Sequence, residues 1–369
     1  HREYSSTLKS VANAGDPRFE YDPADGQSVA KGLLVESQKS NLALNSNDFT
    51  NATWNKQRVT VTPSAAIGPD GQLSASLIAE NTDTTTIHFM LPTAAITSGY
   101  SVGSDKSTHS VFAKYAGRNL RMAEGYNSVD GGATIFDLQN GTVVSGGGSI
   151  QNCGNGWYRC SITVTMSAST LLLPYIQLVD GTTWPNASDA GDGYSGVLLF
   201  GLQTEQQSMS SYITTGGSTV SRAADSCSVA LSQIKYSGGE VTLVTETASV
   251  ADDFRQAASL ITDSSNQVTL YGNSSSSRLG AVIGGGQTSI LTQTSADGIS
   301  ALSFGVNDIA ATRNGAAPTT DTSQSFPELT GGTLKIGGSG TNQPLDGHIK
   351  RLALYNVALS DTELQALTS

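Results

Sequence analysis

The sequence predicts an all-β protein built from two β-sandwich domains and a short C-terminal helix, and three observations lead to this fold class. The chain has 369 residues, whereas a single hydrophobic core rarely grows past roughly 250–300 residues, so two domains are expected. Charged residues make up only 14% of the chain and glycine contributes 40 residues, a composition that favours strands, turns and polar surfaces. Short alternating segments bounded by turn residues then recur along the chain.

Residues 1–44 are predicted to form a lead-in followed by an extended strand segment. Residues 1–16 are polar and lack a clear period, which is typical of a weakly ordered terminus. Two extended runs follow at residues 18–21 and 32–36, separated by a polar turn region. The apolar residues of the second run lie on both faces of the predicted strand, so at least one face needs a partner.

The first predicted domain spans residues 45–225. Alternating or apolar runs between turn signals predict strands at residues 58–62, 85–90, 108–115, 135–138, 157–164 and 171–178. The last of these runs is an apolar run broken by Pro174, which suits a strand that is buried on both faces and has the proline at a bulge or an edge.

The second predicted domain spans residues 226–369 and shows regularly spaced short strands, a pattern that indicates a sandwich. The predicted strands lie at residues 240–246, 258–262, 267–271, 278–283, 300–306, 308–313, 333–336 and 348–355. A short helix is predicted at the C-terminus, because Ser360 and Glu363 have the spacing of a capping box and Leu364 and Leu367 form an apolar stripe.

The charge of the chain argues against several partner classes. The net charge is −11 and the 20 Lys and Arg residues are scattered, whereas nucleic-acid binding needs clustered cations. We therefore expect no nucleic-acid partner, and an anionic membrane is disfavoured for the same reason. No run of about 18 apolar residues occurs, so no membrane insertion is expected.

The three cysteines leave two alternatives open. Cys153 and Cys160 flank the turn of the segment CGNGWYRC, and they could form a disulfide across a hairpin if their Cα atoms approach to about 5.5 Å. Alternatively, they are small hydrophobic residues within strands. Cys227 has no obvious partner in either case.

Four patches of the sequence resemble known families. Residues 17–42 (PRFEYDP…KGLLVESQKSNL), 154–164 (GNGWYRCSITV) and 200–225 (FGLQTEQ…SYITT…SRAAD) resemble segments of modular bacteriophage tail-fibre and receptor-binding proteins. Residues 347–367 (GHIKRLALYNVALSDTELQAL) resemble the C-terminal signature of laminin G-like, concanavalin-type domains. The resemblance implies a jelly-roll sandwich similar to carbohydrate-binding modules, followed by a concanavalin-like sandwich.

The resemblance also implies an assembly, a location and a strand pairing. Fibres of this kind are commonly homotrimers that lie in the virion tail, act extracellularly at the host cell surface and contact other virion tail proteins. Laminin G-like sandwiches commonly bring their first and last strands together. We therefore expect residues 32–36 to lie near the domain junction and to pair with the C-terminal sandwich, which would make the first domain an insertion.

The sequence carries no recognisable catalytic motif, and we expect no enzyme activity. None of the four histidines has a spacing with Ser and Asp that suggests a nucleophile elbow, and neither GxSxG, HExxH nor a P-loop occurs. The ExDxxE arrangement of some concanavalin-type glycosidases is absent from residues 226–369.

Sugar binding requires exposed aromatic faces together with amides and carboxylates. Trp184 lies in the long polar loop DGTTWPNASDAGDGY, where a large aromatic side chain has little core to join, so we expect it to be exposed. The predicted ligand-binding residues are Trp184, Tyr194, Tyr126 and Asn186. Trp54 and Trp157 are predicted to be core residues instead.

Asp180, Asp189 and Asp192 are interleaved with glycine in the same loop region. Such carboxylates could hold Ca²⁺, although the spacing is not that of an EF-hand. The alternative is that they form Asx-turns, which satisfy the backbone of the loop.

These observations predict a non-catalytic phage tail-fibre or receptor-binding fragment that recognises a bacterial surface polysaccharide or another glycan. One alternative is a structural or decoration protein of the virion that has no glycan ligand. A further alternative is a polysaccharide depolymerase whose catalytic motif is not recognisable in the sequence.

Overall fold

The structure is a computed structural model that describes residues 16–22, 29–84, 87–97, 99, 105–126, 133–166, 169–184, 190–236, 238–248, 255–272, 277–283, 286–293, 297–323, 325–327, 329–338 and 345–369. Contacts divide this part of the chain into two units. The first unit is Lys39–Arg222 together with Asp22 and Val29, and the second combines residues 16–21 and Ala30–Gln38 with Ala223–Ser369. No helix in the described part of the chain has the length and hydropathy of a membrane-spanning segment.

The strands of the N-terminal part and the first unit are β1 (Phe19–Asp22), β2 (Val29–Val35), β3 (Lys39–Asn41), β4 (Trp54–Gln57), β5 (Val59–Ile67), β6 (Leu73–Glu80), β7 (Phe89–Pro92), β8 (Ile96–Thr97), β9 (Lys106–Ala116), β10 (Asn119–Glu124), β11 (Thr134–Asp137), β12 (Thr142–Ser145), β13 (Ser149–Gly154), β14 (Trp157–Thr165), β15 (Leu171–Leu172), β16 (Pro174–Val179), β17 (Gly196–Gln206) and β18 (Val220–Arg222).

The remaining elements are β19 (Cys227–Ala230), a 3₁₀ helix (Leu231–Ile234), β20 (Val241–Ala248), β21 (Arg255–Asp263), β22 (Asn266–Gly272), β23 (Ser277–Ile283), β24 (Gly286–Gln293), β25 (Gly298–Gly305), β26 (Asp308–Arg313), β27 (Thr319–Asp321), β28 (Thr333–Ile336), β29 (Gly347–Tyr355) and helix α1 (Asp361–Leu367).

The first unit is a β-sandwich of two six-stranded sheets. The front sheet has the order β12-β11-β10-β16-β7-β4, and the back sheet has the order β13-β14-β9-β17-β6-β5. Their inner faces share one core, to which the front sheet contributes Met122 and Phe136 and the back sheet contributes Val111 and Leu199. Alternation along each strand therefore places the remaining side chains of the front sheet on its outer face.

The second unit is also a β-sandwich. A seven-stranded sheet of order β1-β2-β29-β20-β25-β26-β27 faces a six-stranded sheet of order β19-β28-β21-β22-β23-β24. The core joins residues such as Leu243 and Phe304 of the larger sheet to Leu260 and Leu334 of the smaller one. The predicted all-β fold with two sandwiches is confirmed.

The N-terminal strand β2 belongs to the second unit. It pairs antiparallel with β29 in the register Leu33↔Ile349, Leu34↔His348 and Val35↔Gly347. The predicted pairing of residues 32–36 with the last strand of the C-terminal sandwich is thus confirmed.

A partly buried ion cluster joins this strand to the start of the C-terminal segment. Arg18 Nη1 lies 2.6 Å from Glu36 Oε2, and the same guanidinium binds Asp225. The backbone N–H of Glu36 also donates to Asp225 Oδ2 at 2.8 Å. Burial acts to lower the pKa of Arg18, but the two carboxylates raise it above its ordinary value, so the cluster retains its charges.

Helix α1 forms where the capping box predicts it. The backbone N–H of Ser360 donates to Glu363 Oε2 at 2.9 Å, and Leu364 is buried against Val244 and Ala301 of the larger sheet. The capping contacts satisfy donors at the helix start, which would otherwise have no partner within the helix.

Two strand predictions need correction. The strand predicted at residues 85–90 is observed at Phe89–Pro92, while residues 85 and 86 lie outside the described part of the chain. The run at residues 171–178 is divided into β15 and β16, because Pro174 begins a strand, where its missing N–H is tolerated.

Cys153 and Cys160 are both buried and unbridged. They lie on opposite faces of the back sheet, since Cys160 belongs to the main core and Cys153 packs with Phe112 and Trp157 in a separate cluster. Side chains on opposite faces of a sheet cannot form a disulfide without movement of the backbone. The structure therefore favours the alternative in which both are small hydrophobic residues.

Candidate functional site

The outer face of the front sheet carries a row of chemically distinctive side chains. Leu120 and Met122 of β10 point into the core, so the intervening Arg121 lies on the outer face. Gln177 of β16 is its direct neighbour, and Phe89 of β7 is the next residue in the row. Three adjacent strands thus place a cation, an amide and an aromatic ring side by side.

Arg121 is held by one side chain of the sheet and one of a loop. Its Nη1 donates a hydrogen bond to Gln177 Oε1, and its guanidinium carbon lies 4.6 Å from the centroid of the Trp184 ring. Gln177 is only 4% exposed. It therefore holds Arg121 in place from below and is itself covered, so it does not contact a ligand. The loop that follows β16 folds back over the sheet to bring Trp184 to this position.

Trp184 is half-buried rather than exposed, and the prediction of an exposed indole is corrected. The reason is the cation–π contact, because a guanidinium over an indole ring covers one face of it. The partner lies on another strand, far away in sequence, and loop composition alone could not indicate it.

An aromatic pair lies beside the arginine. The rings of Phe89 and Tyr175 have centroids 5.6 Å apart and an interplanar angle of 37°, and both side chains are half-buried. A second guanidinium, that of Arg58, lies 5.9 Å from the Phe89 centroid. Its Nε donates to the carbonyl oxygen of Ile87 at 3.0 Å.

We define the outer-face site as Phe89, Arg121, Tyr175 and Trp184, with Gln177 as its buried support. Aromatic rings provide apolar faces for the C–H side of a pyranose, and a guanidinium provides several N–H donors for hydroxyl or carboxyl oxygens. This combination of few polar groups among aromatic residues is typical of ligand-binding surfaces.

The other predicted aromatic residues, Tyr126 and Tyr194, are exposed. Tyr126 is 43% exposed, and its backbone N–H donates to Glu124 Oε1 at 2.8 Å. Its neighbour Gly125 packs closely on Tyr175, since a Cβ atom there would lie 2.9 Å from Tyr175 Cε2. Tyr194 is 74% exposed and lies in the loop before β17. Asn186 lies outside the described residues.

A buried pair beneath the site fixes the strand ends that carry Tyr126 and Tyr175. His109 of the back sheet places its Nε2 2.9 Å from Oε2 of Glu124 in the front sheet, and both side chains are fully buried. The same carboxylate accepts the N–H of Leu173 at 2.9 Å. These contacts join the two sheets and hold the backbone next to Tyr126 and Tyr175.

Two of the three predicted calcium ligands, Asp180 and Asp192, lie on either side of an arginine. The carboxylates of Asp180 and Asp192 each lie 3.7 Å from the guanidinium of Arg118, which also forms a close ion pair with Glu80. Burial acts to lower the pKa of Arg118, but Glu80 and, to a smaller degree, the two aspartates raise it. The positive charge between these carboxylates is thus supplied by the protein.

The backbone contacts of Asp192 match the Asx-turn alternative. Its Oδ1 accepts the N–H of Tyr194 at 2.9 Å and of Ser195 at 2.7 Å, which satisfies the loop backbone. Asp189, the third predicted ligand, lies outside the described residues. Within the described ranges, no group of three or more His, Cys, Asp or Glu side chains is arranged to hold a metal ion.

A pocket of about 520 Å³ opens elsewhere in the first unit, with Leu42, Trp54, Pro92 and Ile96 among its lining residues.

The indole N–H of Trp54 donates to the carbonyl oxygen of Asn45 at 3.2 Å, and the indole N–H of Trp157 donates to the carbonyl oxygen of Ile67 at 3.2 Å. Both tryptophans are buried, as the sequence predicts.

Four residues of the site, Phe89, Arg121, Tyr175 and Gln177, are absent from the sequence-based prediction. A signal for Arg121 is present, since it stands between the apolar residues Leu120 and Met122, and alternation along a strand then places it on the opposite, outer face. Tyr175 and Gln177 likewise alternate with apolar residues, although the apolar run around them predicts burial on both faces. The sequence could not show that these strands are neighbours.

Together, the fold and the site define an all-β protein of two sandwiches with an aromatic and cationic surface on the first. No protein-family model matches the chain, and no curated protein matches it. Among solved structures, domains LG4-5 of the mouse laminin alpha1 chain are similar, with a TM-score of 0.27 and 10% identity, covering 76% of this chain and 90% of that chain. The sandwich architecture of this chain rests on its own sheets and cores.

Proposed function

We propose that the chain is a non-catalytic binding protein that recognises a glycan of the bacterial surface through the outer-face site. The observation that carries the proposal is the placement of the Phe89–Tyr175 pair and Trp184 around Arg121 on one face of a sandwich. The rings supply stacking surfaces, and the guanidinium supplies oriented donors.

The context of a phage tail is part of the same proposal. The patches at residues 17–42, 154–164 and 200–225 support it, since they resemble tail-fibre and receptor-binding proteins. A homotrimeric fibre in the virion would display three copies of the site, so weak single contacts would combine into strong attachment at the host surface. The signature at residues 347–367 supports a laminin G-like assignment for the second unit.

The test compares wild-type protein with Tyr175→Ala and Trp184→Ala on an array of bacterial surface glycans. Tyr115→Ala is the matched control, because Tyr115 is an exposed tyrosine on β9 of the back sheet, away from the site. Loss of one ring contact is expected to weaken binding by about tenfold, corresponding to about 1.4 kcal/mol. The control is expected to bind like the wild type.

Each rival function has its own outcome. A fragment that binds no glycan in any oligomeric state would indicate a structural protein of the virion. Release of new reducing ends from a host polysaccharide would indicate a depolymerase. Unchanged binding in both site variants would show that the glycan binds to another surface of the protein.

A further inference from the structure

Two arginines of the first unit, only three residues apart, have opposite electrostatic surroundings. Arg118 forms ion pairs with Glu80, Asp180 and Asp192. Arg121 forms none with any carboxylate of the described residues, and its contacts are the neutral amide of Gln177 and the ring of Trp184. Within the described ranges, carboxylates thus neutralise Arg118 and form no ion pair with Arg121.

The same holds for Arg58, the cation that lies over Phe89 beside the outer-face site. Arg58 contacts the ring of Phe89 and the carbonyl oxygen of Ile87, and it forms no ion pair with a carboxylate of the described residues. Two guanidinium groups, those of Arg58 and Arg121, therefore flank the aromatic pair, and neither has a carboxylate counter-ion among the described residues.

Leaving Arg121 without a counter-ion is unfavourable for the folded protein alone. The side chain is half-buried, and burial lowers its pKa below the ordinary value without any opposing contribution from a carboxylate. A partly desolvated cation is stabilised by an anion that binds to it. The chain as a whole has a net charge of −11, so a local positive site stands out against the overall negative charge.

We propose that the glycan bound at the outer-face site is acidic, and that Arg121 binds its anionic group while Tyr175 contacts the adjoining sugar ring. This inference rests on the proposed function and specifies its ligand class. Tyr175 and Arg121 occupy diagonal positions on neighbouring strands, about 7–8 Å apart, a separation that one sugar residue with a charged substituent can bridge.

The planar guanidinium suits this role. It presents paired N–H donors that match the two oxygens of a carboxylate, or those of a sulfate or phosphate ester, in a forked geometry. Gln177 fixes one edge of the group, and Trp184 covers one face, so the remaining donors are already oriented for an anion.

The test measures binding of the full chain to three matched sets of oligosaccharides by isothermal titration calorimetry. One set contains uronic acids, the second is the same set after carboxyl reduction, and the third carries sulfate or phosphate esters. Wild-type protein is expected to bind an acidic set at least tenfold more tightly than its neutral counterpart. The set that binds identifies the anionic group as a carboxylate or an ester.

The variant Arg121→Gln removes the charge but keeps a hydrogen-bonding side chain, and Arg121→Lys keeps the charge without the fork. Lys106→Gln is the matched control, because Lys106 is an exposed cation at the start of β9. Arg121→Gln should lose the preference for the acidic set, Arg121→Lys should retain part of it, and Lys106→Gln should retain all of it. Unchanged thermal unfolding would show that each variant is folded.

The outcomes separate this inference from the function on which it rests. Wild-type protein that binds neutral glycans at Tyr175 and is indifferent to Arg121→Gln would overturn the acidic ligand and leave glycan binding intact. Equal loss of acidic and neutral binding in Arg121→Gln would also overturn it, since the arginine would then only position the site. Absence of all glycan binding would overturn both.

Discussion

Gly32→Ala tests whether the N-terminal strand is an integral part of the second unit. Gly32 lies in β2 with φ +112°, and a Cβ atom built there would lie 2.4 Å from the carbonyl oxygen of Ile349 and 3.0 Å from Cα of Lys350. Both contacts are with the backbone of β29, an interior strand of the seven-stranded sheet. Neither atom can rotate away, so the strands must separate or shift.

Two contributions give the magnitude. An alanine held at this positive φ costs about 1–2 kcal/mol. Insertion of a methyl group into a closely packed backbone contact typically costs about 1–3 kcal/mol more. A total of about 3 kcal/mol lowers the melting temperature of a unit of this size by about 6–12 °C.

The positions of the tryptophans allow the two units to be observed separately. Trp54, Trp157 and Trp184 are the three tryptophans of the chain, and all of them lie in the first unit. Tryptophan fluorescence therefore follows unfolding of the first unit, whereas calorimetry detects both. Gly32→Ala is expected to lower one calorimetric transition and to leave the fluorescence transition in place.

Gly239→Ala separates the two contributions, because Gly239 has φ +98° and a Cβ atom added there would meet no atom within 4 Å. It should show the dihedral cost alone and destabilise the second unit less than Gly32→Ala. The reasoning is refuted if Gly32→Ala melts like the wild type, or if its effect appears in the fluorescence transition instead.

Two further predictions concern titratable groups. Burial acts to raise the pKa of Glu20, but the hydrogen bond and charge of His348 lower it to about 2 from an ordinary value of 4.5. The contribution of ionised Glu20 to the stability of the fold is therefore present above pH 4.5 and is lost as the pH falls towards 2. Glu20→Gln should therefore flatten the acid side of the stability curve, and an unchanged curve would contradict the ion pair. Cys227 is exposed while the other two cysteines are buried, and burial raises the pKa of the Cys160 thiol well above its ordinary value. A thiol reagent should therefore label one cysteine per native chain and three per denatured chain. Labelling of two or more in the native state would contradict the packing.

The fold could be predicted from the sequence more completely than the site. Local signals sufficed for α1, because the capping residues Ser360 and Glu363 and the apolar Leu364 all lie within one turn or two. The pairing of β2 with β29 could also be predicted, since the resemblance to laminin G-like domains supplied a long-range contact that local propensity does not contain. Strand limits were less accurate near Pro174, where one proline divides an apolar run.

Long-range contacts explain the errors at the site. The loop around Trp184 is polar, and polarity predicts that a loop lies at the surface, yet it does not indicate which side chain covers an aromatic ring. Arg121 belongs to another strand, and its proximity depends on the order of β10 and β16 in the front sheet. The same limit applies to the predicted calcium ligands, because the charge between Asp180 and Asp192 comes from Arg118.

Sheet position explains why Arg118 and Arg121 differ although both stand in the segment RNLR. Arg118 precedes β10, at a point where the last residue of β6, Glu80, and the loop that follows β16 bring in carboxylates. Arg121 lies within β10, and its lateral neighbours on the flanking strands are Ile135 and Gln177, neither of which carries a charge. A side chain in the middle of an outer sheet face can be neutralised only by its lateral neighbours, by a covering loop or by a ligand. The covering residue here is Trp184, which contacts the guanidinium without cancelling its charge. The attraction between that charge and an anion is therefore left for an anionic ligand to make.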